Sequence, residues 1–321
     1  MSSRMLRRLL AAAVLAAVAH SARVDPRRRA RGERWLASVP MLRMRGGAES
    51  ASGKLGAWLE SKRRELHPAA VTQDADRLKA AMLMKRRGLK NVEMAADLLR
   101  AAHKRDPDNV QLKLELADAI NTVIRIKTNA NSLVLEGTQD CPAFKKIWGT
   151  LGRESLPLAT DARKAMPNDV KALAVYADAF LYSSSAQGIV KQALTGVGKK
   201  YVAMATELYK HPKWDSAVGC AFLGGFYNVA PWPVGNKQKA AKYLREGVSI
   251  APTRRNLYYA GVNAYQLREY DKAVSFFSRA LAAPICEDPS SSEGDFMDFI
   301  LEQSRRGLQL SKQALAGQSV G

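Results

Sequence analysis

With 321 residues and 47% hydrophobic content, the chain is long and apolar enough for a sizeable packed domain, which excludes a wholly disordered protein. Its formal charge of +20 divides into +10 on residues 1–70 and +10 on the far longer stretch 71–321. Beyond the leader the chain is therefore only mildly basic, which argues against nucleic acid as a partner, because phosphate binding wants basic residues gathered on one face.

Residues 1–21 have the form of a signal peptide. Arg4, Arg7 and Arg8 precede an apolar run from Leu9 to Ala19, and Ala19-His20-Ser21 offers a small-residue cleavage site. That run is too short to span a bilayer core of about 30 Å. No other stretch reads as a transmembrane helix, so the mature chain is expected to carry no span, with peripheral membrane association left open. Residues 22–50 form an Arg-rich, transit-like segment: Arg23 to Arg45 holds eight arginines against two acidic residues, with Pro26 and Pro40 breaking any helix. This succession resembles the bipartite presequences of algae with secondary plastids, and Met41-Leu42-Arg43-Met44-Arg45-Gly46-Gly47 is similar to the junctions in such leaders. The resemblance implies a plastid location, with the mitochondrion or the secretory pathway as alternatives. Residues 51–70 read as a linker with room for a short helix from Lys54 to Leu66, stopped before His67-Pro68.

From Asp74 the helical period is sustained to the C-terminus, so residues 71–321 are expected to form one helical domain. Thr72 is a candidate N-cap. Leu78, Ala81, Met82 and Lys85 share one face of a first helix. Val92, Ala95, Leu99 and Ala102 share a face of the second, which Asp106-Pro107-Asp108 stops. A second unit opens at Asn109 with Leu112, Leu116, Ala117 and Ile120. The polar, Gly-containing stretch Asn129 to Pro142 then displaces its second helix to about Glu154–Ala165, with a short helix near Ala143–Trp148. A third unit runs from Asp169, with a long second helix over Val190–Tyr209 interrupted at Gly196-Val197-Gly198-Lys199. That string lacks the full Walker spacing and follows no strand, so it does not mark a nucleotide site. The fourth unit runs from Trp214 and carries the turn Ala230-Pro231-Trp232-Pro233-Val234-Gly235-Asn236.

The fifth unit, Arg254 to Pro284, is the most regular. Leu257, Ala260, Gly261 and Ala264 fall on one helix, and Ala273, Phe277, Ala280 and Pro284 follow on the next. This spacing resembles the tetratricopeptide repeat, a helix–turn–helix unit with a period of about 34 residues. The resemblance implies an all-α, right-handed helical solenoid of about five antiparallel helix pairs. A C-terminal capping helix over about Glu293–Leu315, with Ser292 as its cap, would close the array.

In such arrays the first helix of each pair lines a concave side that binds a partner. By that resemblance the partner-binding candidates are Arg77 and Arg87 in the first unit and Asp118 and Asn121 in the second. Lys171 and Asp178 follow in the third, Asn228 in the fourth, and Tyr258 and Tyr265 in the fifth. Met84, Leu181 and Val262 fall on the same side. Chaperone-binding members of the family grip a C-terminal carboxylate with a Lys/Asn clamp. Ala80, Met84 and Glu115 stand at the matching positions, so that clamp is absent. Trp232, between two prolines, is a candidate loop contact whose indole is presented at low entropic cost, or else a seal on the adjoining helix pair. A second resemblance rests on Gly188-Ile189-Val190, Gly224-Gly225-Phe226-Tyr227 and the Pro-x-Pro-x-Gly turn leading into Lys239-Ala240. These are similar to the helical T-component proteins associated with bacterial TRAP-type transporters, over about residues 102–281.

Cys141, Cys220 and Cys286 suggest no disulfide framework, and His20, His67, His103 and His211 stand apart at no metal-ligand spacing. No nucleophile–base pair, paired-acid motif or cofactor loop is evident. The sequence thus points to a non-enzymatic scaffold or adaptor, without metal or cofactor, that binds a protein or peptide partner in an organelle and serves complex assembly. The alternative is a ligand-binding or transporter-accessory protein with a small-molecule groove near Trp232.

Overall fold

A computed structural model describes residues 68–318, apart from 139–140, 189–190, 193–194, 287 and 289. The signal-like and transit-like segments and the Lys54–Leu66 helix lie outside the described residues. Backbone contacts divide the chain between Thr72 and Gln73, and the helix pairs belong to the unit from Gln73 onward.

The helices are α1 (Pro68–Arg86), α2 (Leu89–Arg105), α3 (Val110–Lys127), α4 (Pro142–Ile147), α5 (Arg153–Ala165), α6 (Val170–Ser185), α7 (Val197–Tyr209), α8 (Val218–Val229), α9 (Lys237–Ile250), α10 (Arg254–Gln266), α11 (Tyr270–Ala282) and α12 (Met297–Gln318). They pair as α3/α5, α6/α7, α8/α9 and α10/α11, each pair stacking on the next, with α2 against α3 and α12 against the last pair, while Ala80 and Leu83 of α1 share a core with Ala95 and Leu99 of α2. This is an all-α, TPR-like helical solenoid.

Local chemistry sets most of the boundaries. Asn109, Asp169, Asn236 and Thr253 cap α3, α6, α9 and α10, each side chain accepting from the backbone N–H three residues on. Pro107, Pro167 and Pro252 sit just upstream of three of these caps, where no helix can continue. In α2 and in the second helix of every pair one buried triplet recurs at i, i+4 and i+7, which is one helical face. It reads Ala95/Leu99/Ala102, Ser155/Ala159/Ala162, Tyr201/Ala205/Leu208, Ala240/Leu244/Gly247 and Ala273/Phe277/Ala280. In four of the five the outer positions are small, which lets the helices approach. At Phe277 this goes furthest: a Cβ at Gly261 of α10 would lie 2.7 Å from the Phe277 ring, and one at Gly307 of α12 2.5 Å from it, so both neighbours must be glycine there.

Four readings need correction. Thr72 lies inside α1 rather than at its start, because the helix extends back to Pro68. On α1 the buried side chains are Ala80 and Leu83, while Leu78 is 67% and Met82 53% exposed. Periodicity identifies a face but not the side on which a neighbour will stand. The second helix of the third unit is regular only from Val197, where left-handed Gly196 begins it. Ser292 does not cap the last helix; its hydroxyl donates to Asp215 Oδ2 (2.7 Å), and a 3-10 turn over Glu293–Phe296 leads into α12.

The insertion in the second unit is not simply polar. After three left-handed residues, Asn129, Ala130 and Asn131 (φ 50°, 56° and 49°), it forms a small antiparallel hairpin pairing Leu133 with Thr138 and Val134 with Gly137. Leu133, Val134 and Leu135 are buried. The chain then re-enters through α4 and a π-helical turn, Trp148–Gly152, that runs directly into α5.

Candidate functional site

The hairpin from the second unit lies on the last pair, 125 residues downstream. Tyr258 donates its hydroxyl to Leu133 O, and Gln266 Nε2 reaches the carbonyls of Val134 and Leu135 at 3.3 and 3.2 Å. The Ser132 and Tyr259 hydroxyls meet at 3.0 Å, and Arg306 of α12 pairs with Glu136. The concave side of the array is thus covered in part by the chain's own insertion. Two further segments join it, the strap around Ser292–Phe296 and the Ala230–Val234 turn. Together they narrow the groove to an open-mouthed hollow of about 790 Å³, within the range of about 300–1,000 Å³ common to small-molecule sites.

The cavity wall is largely aromatic. Trp148 comes from the π-helical turn, Tyr182 from α6, Tyr201 from α7, Phe222 and Phe226 from α8, and Tyr259 from α10. Tyr201 stacks on Phe222 with ring centroids 5.6 Å apart. The Trp148 indole is buried and donates to Thr128 Oγ1 at 3.1 Å. Trp232, 90% exposed, stands at the mouth beside exposed Val234.

Ion pairs buried in this wall tie distant elements together. Arg125 of α3 donates to Asp178 of α6 at 2.7 Å and to Asp295 of the strap at 2.8 Å. Burial opposes its charge, yet Asp178, Tyr182 and Asp295 together hold its pKa well above the ordinary value. Arg255 of α10 donates through Nη1 to Asp215 Oδ1 (2.8 Å) and Ser292 Oγ (3.3 Å). Its Nη2 donates to the carbonyls of Asp215 and Ser216, and its Nε to Asn256 Oδ1 (3.3 Å). All five guanidinium donors are occupied. Asp215, Ser216 and Ala217 form the second run of three left-handed residues, with φ of 42°, 49° and 62°. Non-glycine residues visit this region at a cost of about 1–2 kcal/mol each. Both runs border the cavity, through Ala130, Asn131 and Asp215. Backbone strain held by buried ion pairs is a feature of built sites.

The residues singled out from the sequence separate into groups. Asp178, Leu181 and Trp232 line the cavity. Arg87 serves the strap, donating to Ser291 O and pairing with Asp295 at 3.6 Å. Arg77 grips Glu115 in a bidentate pair at 2.9 and 2.7 Å, and Lys171 pairs with Asp118 at 2.8 Å, so these bridge first helices of neighbouring repeats. Asn228 and Tyr265 line a second hollow of about 410 Å³ beside the hairpin. Four expected surface contacts are core groups instead. Asn121 is fully buried, donating to Val175 O (2.9 Å) and accepting from Ser155 Oγ (2.7 Å). Tyr258 is 0% exposed under the hairpin, and Val262 is buried with it. Asn228 is likewise buried, bonded to Gln266 and Asn263 at 3.0 and 2.8 Å. The physical reasons differ: Asn121 is buried where α3 packs on α5 and α6, whereas Tyr258 and Asn228 lie on the side that the hairpin covers.

Arg125, Tyr182, Asp215, Arg255 and Tyr259 escaped sequence reasoning. One signal was available, since Arg125 interrupts the apolar run Val123-Ile124-Arg125-Ile126. The partners of a buried arginine are not written beside it.

No protein-family model matches the chain, and no curated protein matches it. Among solved structures it is similar to the crystal structure of TTC0263, a thermophilic TPR protein in Thermus thermophilus, with a TM-score of 0.48 and 13% identity over 72% of this chain and 98% of that one. The fold stands on the helix pairs themselves. Among the described residues no cluster of His, Cys, Asp or Glu could hold a metal ion, and no helix is long and apolar enough to cross a membrane.

Proposed function

We propose that this chain is a non-enzymatic binding scaffold whose concave cavity holds a small, largely apolar ligand. The observation that carries this reading is the narrowing of the groove: three separate segments border it and leave an open-mouthed hollow of about 790 Å³ with an aromatic wall. A peptide laid along the concave side would meet the hairpin, so the small-molecule reading fits the geometry better than an extended peptide. A protein partner still has a place to act, at the exposed Trp232 and Val234 beside the mouth. The leader adds an organelle, the plastid, to this proposal; a fluorescent fusion of residues 1–50 tests that part.

The cavity is tested by filling it. Gly225 of α8 lines it and has nothing within 4 Å of where a Cβ would stand, so Gly225→Phe adds volume there without a backbone clash. Native mass spectrometry of the chain purified from its own organelle should show a retained small molecule that Gly225→Phe loses while its circular dichroism is unchanged. A chain that carries nothing, and whose tryptophan emission responds to no metabolite fraction, would rule the proposal out.

A further inference from the structure

The buried charges around the hollow cancel. Arg87 and Arg125 stand against Asp178 and Asp295, and Arg255 against Asp215. Glu293 lies outside the lining, on the backbone N–H of Arg255 (2.8 Å). The surplus cation of the lining is Lys199, which is exposed at the mouth on the first turn of α7, where solvent screens it. A charged head group taken inside would find every counter-charge already engaged, and an unpaired buried charge is costly. The polar part of a ligand held at the inner wall is therefore neutral.

Two polar groups of this wall have unused capacity. Tyr201 is 8% exposed, its ring packed on Phe222 and Phe226 with centroids 5.6 and 5.9 Å away. Among the described residues its hydroxyl has no hydrogen-bond partner. The other two tyrosines of the wall are served: Tyr259 meets Ser132, and Arg125 engages the Tyr182 hydroxyl. Asp178 accepts from Arg125 through Oδ2 at 2.7 Å and keeps part of its side chain open to the hollow, so among the described residues Oδ1 is a free acceptor. Burial is the first cause that pushes the Tyr201 hydroxyl up and the charge of Asp178 the next, so the two groups stand within electrostatic reach across one hollow. A buried hydroxyl without a partner is costly. The phenol can donate, and the carboxylate oxygen can only accept. An alcohol answers both, its O–H donating to Asp178 and its oxygen accepting from Tyr201. An ether or ketone has no donor to offer, and a carboxylate is repelled by Asp178.

Resting on the reading of the hollow as a ligand site, we propose that the ligand is a neutral alcohol, its hydroxyl bridging Tyr201 and Asp178 and its apolar body against Trp148, Phe222 and Phe226. The test uses the full chain and three probes that share one tail: decan-1-ol, 1-methoxydecane and decanoate. Each is titrated within its solubility and read by tryptophan emission, since Trp148 and Trp232 both line the hollow. Decan-1-ol should bind at least about tenfold more tightly than 1-methoxydecane. Apolar burial alone gives the reverse order, because the ether carries the larger apolar surface. Decan-1-ol should also exceed decanoate by at least about tenfold. Tyr201→Phe keeps the ring and should weaken decan-1-ol by about fivefold. The ranking of the probes on the unaltered chain needs no variant, so it holds even if Tyr201→Phe folds poorly. Binding of 1-methoxydecane or decanoate as tight as that of decan-1-ol overturns the alcohol assignment and leaves the reading of the hollow standing. Undiminished decan-1-ol affinity in a folded Tyr201→Phe chain does the same. No binding by any probe also overturns the assignment, and with no small molecule retained in native mass spectrometry it overturns both.

Discussion

The α10–α11 pair and the α3–α5 pair carry the same buried triplet on their second helices, Ala273/Phe277/Ala280 in one and Ser155/Ala159/Ala162 in the other. The first pair turns directly through Arg268 and Glu269, and its core is one large ring between two glycines. The second opens between its helices to send out a hairpin, and its small triplet is supplemented by the buried Trp148 and by the Ser155–Asn121 hydrogen bond. The regular pair stores its stability locally. The irregular pair exports part of its chain to another repeat, so a stacked array that normally contacts only neighbours gains long-range ties.

The largest effect should come from the local core. Phe277→Ala leaves a cavity between Gly261 and Gly307 and should cost about 3–5 kcal/mol, lowering the thermal midpoint by on the order of 10 °C in calorimetry. A loss below about 1 kcal/mol would mean that the pair is not held by this ring. Arg255→Met should cost nearly as much, about 3–5 kcal/mol, because Asp215 is then buried without its partner. Adding Asp215→Asn should recover part of that loss in denaturant unfolding; a strictly additive double variant would show that the two residues do not act as a pair.

A smaller effect separates the two regions directly. Tyr258→Phe removes the hydroxyl that meets Leu133 O and should cost about 1–3 kcal/mol. Hydrogen exchange should quicken at residues 133–138 while α11 keeps its protection. Equal loss in both places would contradict the division between exported hairpin and local core. The smallest effect concerns pH. Burial raises the Asp178 carboxyl above its ordinary value of 3.8, although Arg125 pulls it down. A raised folded value means that Asp178 favours the folded state below the ordinary value and that this contribution is lost as pH rises through the folded one. The stability of the unaltered chain relative to Asp178→Asn should therefore decline as pH rises from about 4. A rise instead would show that the pairing with Arg125 outweighs burial.

Much of the scaffold was legible. Asn109, Asp169, Asn236 and Thr253 act on their own helices, and the i, i+4, i+7 triplets reflect the turn of the helix itself, so both signals sit within a few residues of the structure they specify. Of the site, Asp178 and Trp232 could be picked out, the first by its place in the repeat and the second by its flanking prolines. The face of α1 that is buried, the landing of Leu133 on Tyr258 and the joining of Arg125 to Asp295, 170 residues apart, were not legible. By itself the sequence determined where the capped helices α3, α6, α9 and α10 begin, which residues share a face, and that the pairs stack. Only the tertiary structure decided that an insertion in one repeat narrows the groove of others. A cavity is made by segments that meet across the whole array, and the partner of a distant side chain leaves no periodic mark in the chain around it.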